Sequence, residues 1–275
     1  MKILVTGANG MLGQDLCPIL EDVGAFVIET DVDTLDITNH EIVEKVLTDI
    51  RPDMVIHCAA YTNVDKAEED LKTAELINVT GTENIAEVCG KLGITLVYIS
   101  TDYVFDGETV EPYTTEDLPN PINNYGTTKY EGEEAVRSLC EKYYVVRTSW
   151  LYGHHGKNFV ETMIVQAGKQ DRNVISVVDD QVGCPTWTVE LANGIIKLFT
   201  KPYGTYHVCG SGFTTWYGFA KEIFAQLGLE VNLQPCTTEE FPRPAKRPKF
   251  SVMDNGGICR KWQEALKDYL ELREV

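Results

Sequence analysis

The chain has 275 residues, with 42 acids against 24 bases and a net charge of −18. Its 43% hydrophobic and 24% charged content is that of a soluble globular protein, which excludes collagen, a coiled-coil rod and extensive disorder. An acidic surface of this kind repels nucleic acid and anionic membranes, so neither is an expected partner.

In chain order, Ile3–Thr6 reads as a short apolar strand and Gly10–Leu20 as a helix. Ala25–Ile28 is the next strand and His40–Ile50 the next helix. Asp53–Cys58 is a strand, Lys66–Val79 and Thr82–Leu92 are helices with Gly81 between them, and Thr95–Ser100 is a further strand. A long helix over Tyr125–Lys142 leads into a strand at Tyr143–Arg147. Apolar strands alternating with helices predict an α/β, doubly wound parallel sheet covered on both faces, a Rossmann arrangement. After Trp150 the rhythm changes. Helical patterns at Phe159–Gly168, Thr188–Thr200, Trp216–Leu227 and Arg260–Leu272 are separated by proline-bearing loops. The expected division is a dinucleotide-binding domain over 1–149, with returning segments near 186–209, and a smaller lobe over 150–185 and 210–275. The cleft between them is the expected ligand site.

No apolar run reaches the roughly 18 residues of a membrane span. The apolar stretch behind Met1 is shorter than the roughly 7–15 residues of a signal-peptide core. The eight cysteines are scattered without a CxxC pair and read as free thiols, so the expected location is the cytoplasm.

Gly7, Asn9, Gly10, Met11, Leu12 and Gly13 lie in a GxxGxxG turn that follows the first strand and opens the first helix. Glycines let main chain approach a pyrophosphate, and a helix N-terminus points N–H donors at it. Asp31, after the second strand, stands where an acid receives a ribose 2′-hydroxyl. With no Arg beside it for a 2′-phosphate, it leans toward NADH over NADPH, although a solvated turn aspartate would look the same. Asp36, Ile37, Ala59, Ala60 and Tyr61 lie beyond strand ends, where the adenine and nicotinamide halves would sit.

Tyr125 and Lys129 are at i and i+4 and share one helix face. A free phenol ionises near pH 10, and a neighbouring ammonium is expected to lower that value. The pair can then pass a proton to a carbonyl oxygen. Thr101, at the preceding strand end, can hydrogen-bond the same oxygen. An isolated YxxxK is also a common exposed pattern, but the order of glycine loop, strand-end Thr and YxxxK is informative.

These motifs resemble the extended short-chain dehydrogenase/reductases. Finer matches are similar to the dTDP-4-dehydrorhamnose reductase family. Among them are Leu35-Asp36-Ile37-Thr38, Cys58-Ala59-Ala60-Tyr61-Thr62-Asn63-Val64-Asp65, Ser100-Thr101-Asp102-Tyr103-Val104-Phe105-Asp106-Gly107, Arg147-Thr148-Ser149-Trp150 and Arg243-Pro244-Ala245-Lys246-Arg247-Pro248. The resemblance implies reduction of a dTDP-4-keto-6-deoxy sugar by NADH or NADPH, in the supply of dTDP-rhamnose for cell-surface polysaccharide. It also implies that Thr101 and Tyr125 hold the ketone oxygen, Tyr125 donates the proton and Lys129 tunes it. Thr62, Val64, Asp102, Tyr103 and Trp150 would meet the sugar. Within the basic stretch Arg243–Lys249 a guanidinium suits phosphate, and Arg247 with Asn158 is the choice for the nucleotide end. No catalytic metal is expected. Some relatives pair through acids around Mg²⁺, and Asp15 and Glu190 stand at candidate positions, with Asp268, Glu271 and Glu274 as further acids. The assembly is then a monomer or a homodimer. Two rival readings of the same fold are a non-catalytic NAD(P)-binding regulatory subunit and a sugar-nucleotide epimerase or dehydratase.

Overall fold

The computed structural model describes residues 1–169 and 174–273. The chain opens with β1 (Lys2–Thr6), α1 (Met11–Asp22), β2 (Phe26–Thr30), α2 (His40–Ile50) and β3 (Met54–His57). It continues through α3 (Val64–Glu69), α4 (Leu71–Glu75), a π-helical turn at Leu76–Thr80 and α5 (Gly81–Leu92). Then come β4 (Thr95–Thr101), a 3₁₀ turn at Asp102–Val104, α6 (Asn124–Leu139) and β5 (Tyr143–Thr148). The remainder forms β6 (Leu151–Tyr152), α7 (Phe159–Ala167), β7 (Ile175–Val178), β8 (Val182–Gly183), β9 (Thr186–Trp187) and α8 (Thr188–Leu198). It closes with β10 (Gly204–His207), β11 (Thr214–Thr215), α9 (Trp216–Leu227), β12 (Leu233–Cys236) and α10 (Trp262–Glu271).

Six strands make one parallel sheet in the order β2-β1-β3-β4-β5-β10. The chain runs from β1 outward to β2 and then returns past β1 to β3. The strand order therefore reverses at β1, and a crevice opens beyond the carboxyl ends of β1 and β3. Strand side chains alternate between the two faces. Ile3 and Val5 join Leu16 and Leu20 of α1 and Leu191 and Ile195 of α8 in one core. Leu4, Val55 and Leu96 join Val43 and Leu47 of α2, Ile85 of α5 and Val136 of α6 in the other. Each such burial stabilises the fold by about 1.5–3 kcal/mol. A further cluster around Tyr152, Phe219, Trp262 and Tyr269 lies outside the sheet. The chain returns from it to pack α8 on α1 and to add β10 beside β5.

The largest departure from the sequence-based expectation is at Lys66–Val79. That segment is not one helix but α3 and α4, with the Asp70 carboxylate capping α4 through the Thr73 N–H, followed by the π turn. Gly81 does not interrupt the helical path. It is helical itself, and a Cβ there would strike the Ile37 side chain, so it marks close packing rather than a break. The second strand is Phe26–Thr30 rather than Ala25–Ile28, set by its register Lys2↔Phe26 to Thr6↔Thr30 on β1. The long helix begins at Asn124, where Asn123 accepts the Gly126 N–H, and ends at Leu139 because Cys140 is extended. Among the described residues no helix is long and apolar enough to cross a membrane. All eight cysteines are free.

Candidate active site

A cleft of about 960 Å³ runs along the carboxyl edge of the sheet over β1, β3 and β4. At one end is the glycine turn. Gly7 has φ 66°, and a Cβ there would lie 2.7 Å from the Ala59 main-chain nitrogen. A Cβ at Gly13 would lie 2.5 Å from the Ala8 carbonyl oxygen. The turn is thus pressed against β3, and α1 against the turn, with no room for side chains. Gly10 precedes α1 without a side-chain cap, and the first helical turn carries no acid. Its free N–H groups are open to an anion, so this cradle of bare main chain fits a dinucleotide pyrophosphate.

Asp31 leaves the end of β2 and reaches back over the turn. Its Oδ2 accepts the Asn9 N–H at 3.0 Å and its Oδ1 the Val32 N–H at 2.8 Å. Asp36 Oδ1 accepts the Thr38 N–H and hydroxyl, which fixes its carboxylate beside Ile37. Asn9, Met11, Leu12, Asp31, Asp36, Ile37, Ala59 and Ala60 all line the cleft. Tyr61 does not line it. Its N–H and carbonyl are both bonded to the Asn78 side chain, in the π turn.

The other end is built from side chains. Thr101 ends β4, and Tyr125 and Lys129 rise from the first turns of α6; all three line the cleft. Gly126 lets α6 approach the Tyr103 carbonyl so closely that any Cβ would collide with it. The Tyr103 ring meets the Tyr125 ring edge-on at 5.9 Å. Thr101 accepts the Tyr103 N–H at 3.1 Å and donates to Asp102 Oδ1 at 3.1 Å. Ser251 donates to Asp102 Oδ2 at 2.6 Å. Burial raises Asp102 to about 7 against the pull of those two hydroxyls. The Lys129 ammonium lies 4.0 Å from the centre of the Tyr98 ring, and burial brings it down to about 7.

The expectation that Lys129 lowers the Tyr125 phenol is corrected here. Burial pushes Tyr125 up to about 12, the Thr101 hydroxyl pulls against it, and the Asp102 carboxylate adds to the rise. Desolvation of the phenolate outweighs favourable neighbours. Tyr125 is therefore protonated at neutral pH.

Thr62, Val64, Asp102, Tyr103 and Trp150 line the same cleft. Trp150 is held at φ 46°, a conformation unusual for a bulky residue, and stacks at 3.6 Å and 5° on Trp216. Trp216 lines the cleft too, as do Leu76 and Ile77 of the π turn, and none of the three was visible as a motif. The only local signal for Trp216 is its place directly after the helix cap Thr215.

Two residues expected at the nucleotide end are engaged elsewhere. Asn158 caps α7 through the Glu161 N–H and donates to the Gly153 carbonyl, which uses both ends of its amide. Arg247 turns its fork onto Asp65, with both contacts at 3.0 Å. Neither lines the cleft. Asp15 accepts the Thr188 hydroxyl and lies 3.4 Å from His155 Nε2, while Glu190 pairs with Arg260 at 2.7 Å. Arg260 also holds Asp268. Glu274 lies outside the described residues. Among the described residues, no three carboxylate, His or Cys groups converge as a metal cage.

A family model described as the RmlD substrate binding domain matches residues 1–274. A dTDP-4-dehydrorhamnose reductase of known structure from Clostridium acetobutylicum is 50% identical, with a TM-score of 0.95 and 99% of each chain covered. A second, from Bacillus anthracis and in complex with NADP, is 44% identical, with the same score and coverage. The spore coat polysaccharide biosynthesis protein SpsK of Bacillus subtilis is 41% identical over 99% of this chain and 98% of its own. The chain belongs to the dTDP-4-dehydrorhamnose reductase family of extended short-chain dehydrogenase/reductases.

Proposed function

We propose that this protein reduces the 4-keto group of dTDP-4-dehydro-β-L-rhamnose to give dTDP-L-rhamnose, with NADH or NADPH as the reductant. The observation that carries the reading is that Thr101, Tyr125 and Lys129 open into the same cleft as the glycine cradle. The polysaccharide role in the name of the Bacillus subtilis relative supports a use of such a product in cell-surface synthesis. The nicotinamide cofactor, when bound, supplies hydride to the ketone carbon. Residues 1–149 and 186–209 would hold it, with Gly7, Gly10 and Gly13 under the pyrophosphate and Asp31 on the ribose. The described parts of the segments 150–185 and 210–275 would meet the sugar.

As charge grows on the ketone oxygen, the Tyr125 hydroxyl delivers its proton there and Thr101 steadies the oxygen. Lys129 favours the resulting phenolate by its charge and returns a proton to it, which Lys129 in turn regains from solvent. Thr62, Val64, Asp102, Tyr103, Trp150 and Trp216 shape the sugar end. Among the described residues Lys129 is the only Lys or Arg lining the cleft, so a 2′-phosphate finds no Arg near Asp31. That supports NADH, or indifference, as the preference.

The test is oxidation of NADH and of NADPH by the folded protein in the presence and absence of dTDP-4-dehydrorhamnose. Sugar-dependent oxidation is expected. None with either cofactor overturns the reading in favour of a regulatory subunit. Cofactor that copurifies and never leaves points to an epimerase or dehydratase. Sedimentation with Mg²⁺ and with chelator separates a monomer from a metal-bridged homodimer through Asp15 and Glu190.

A further inference from the structure

Glu133 lies one turn beyond Lys129 on α6 and is completely buried. Its carboxylate is bonded from three directions. Oε1 accepts from Ser100 Oγ at 2.5 Å and from Arg147 Nε at 2.9 Å. Oε2 accepts from Arg147 Nη2 at 2.8 Å and from Arg137 Nη2 at 2.7 Å. Ser100 is the residue before Thr101 on β4, and Arg147, itself 1% exposed, is its partner across the sheet on β5. One carboxylate therefore ties together the strand that carries Thr101, its neighbour strand, and the helix that carries Tyr125 and Lys129.

Apolar side chains already pack α6 on the sheet, with Val136 in the shared core. Apolar packing leaves room for a helix to slide or turn, whereas a four-bonded carboxylate does not, because each lone pair must meet its donor. Lys129 needs the charge as well. On α6 it stands one turn after Tyr125 and one turn before Glu133; it also faces His57 at the end of β3, Cys58 just beyond it, and the Tyr98 ring of β4. Burial keeps His57 neutral and pushes the Cys58 thiol and the Tyr98 phenol up, so both stay protonated. Of these neighbours only Glu133 is a carboxylate. It opposes the burial that strips the Lys129 proton.

We infer that Glu133 is a positioning residue for the reduction: it locks α6 to β4 and β5 and supplies the fixed negative charge that keeps Lys129 an ammonium beside Tyr125. This rests on the reductase reading above.

The test is the pH profile of turnover together with the titration of Lys129. The latter is followed by NMR of the lysine Cε carbons, with the signal identified by its loss in Lys129→Met. Glu133→Gln keeps the shape and removes the charge, so Lys129 should lose its proton at lower pH. The basic limb of kcat should move down by about one pH unit or more, with turnover falling about tenfold further at pH 8 than at pH 6. Glu133→Asp should restore the limb even where Tm falls. Arg137→Gln removes a positive charge from the outer side of the same carboxylate, where Arg137 is partly exposed, and should move the limb upward. Ser100→Ala should lower kcat without moving the limb.

A folded Glu133→Gln with the wild-type profile and wild-type Lys129 titration overturns the inference and leaves Glu133 structural only. If Glu133→Gln does not fold, an unshifted Lys129 midpoint in Arg137→Gln overturns it instead. Absence of turnover in the wild type overturns the reductase reading, while the Lys129 titration still decides the charge lock.

Discussion

At the β1–α1 end of the cleft the groups offered to a ligand are main-chain N–H donors, and glycines keep side chains away from them. At the β4–α6 end the groups are side chains, and the carboxylates among and behind them are held by side chains distant in sequence. Asp102 is bonded by Ser251, 149 residues away, and Glu133 by Ser100, 33 residues away. The first end needs β1, its glycine turn and the neighbouring ends of β2 and β3. The second needs β4, β5, α6 and the loop carrying Ser251 to arrive together. The cradle therefore suits a cofactor shared by many folds, while the side-chain end is where chemistry and pH sensitivity concentrate.

The strongest way to separate the two ends is Tyr125→Phe. It removes one hydroxyl at the side-chain end and leaves the ring against Tyr103. Turnover should fall by roughly 10²–10⁴, with cofactor affinity nearly unchanged. Near wild-type turnover would mean that another group gives the proton.

Acid should also single out the side-chain end and its floor. His207, the strand partner of Arg147 across the sheet, is buried. Burial, helped by the Arg147 charge, lowers it to about 4, and His57 is lowered to about 3 by burial and Lys129. Both folded values lie below the unfolded one near 6.5. The unfolded chain therefore takes up protons first, and this contribution to stability is present above pH 6.5 and lost as pH falls toward 4. For His207 the loss is roughly 3 kcal/mol. Thermal unfolding at pH 7.5 and pH 5 should show the drop, and His207→Leu should shrink it. A Tm independent of pH over that range would contradict the buried, neutral imidazoles.

The reverse experiment strikes the main-chain end. Gly7→Val places a β-branched residue at φ 66° and drives its Cβ into Ala59. It should cost roughly 1–3 kcal/mol in stability and abolish tight cofactor binding. Calorimetry and cofactor fluorescence check the two separately, and a variant that still binds cofactor normally would remove the pyrophosphate from this turn.

The smallest effect expected is at Asp31, which acts through its charge on one ribose. Asp31→Ala should narrow the difference between NADH and NADPH affinity by a few-fold, about 1 kcal/mol. A wild-type enzyme that binds NADPH clearly tighter would show that Asp31 does not face the 2′ position.

What could be read along the chain were features whose cause is local. The alternation of strands and helices follows from apolar periodicity, and α9 ran over Trp216–Leu227 as its pattern requires. The glycine turn is legible because bare main chain needs glycine at fixed spacing. Tyr125 and Lys129 are legible as a pair because a helix brings i and i+4 together whatever surrounds them. Tertiary structure decided what those groups became. Burial under Tyr103 raised Tyr125 where a neighbouring ammonium alone would have lowered it, and the same burial brought Lys129 down. Asn158 and Arg247, plausible ligand groups by type, were taken by a helix end and by Asp65. Trp216 reached the cleft only because α9 folds back over Trp150. Spacing along a chain sets which neighbours share a turn. Desolvation and long-range partners depend on which distant segments close over a group, and those are known only once the sheet and its second cluster have packed.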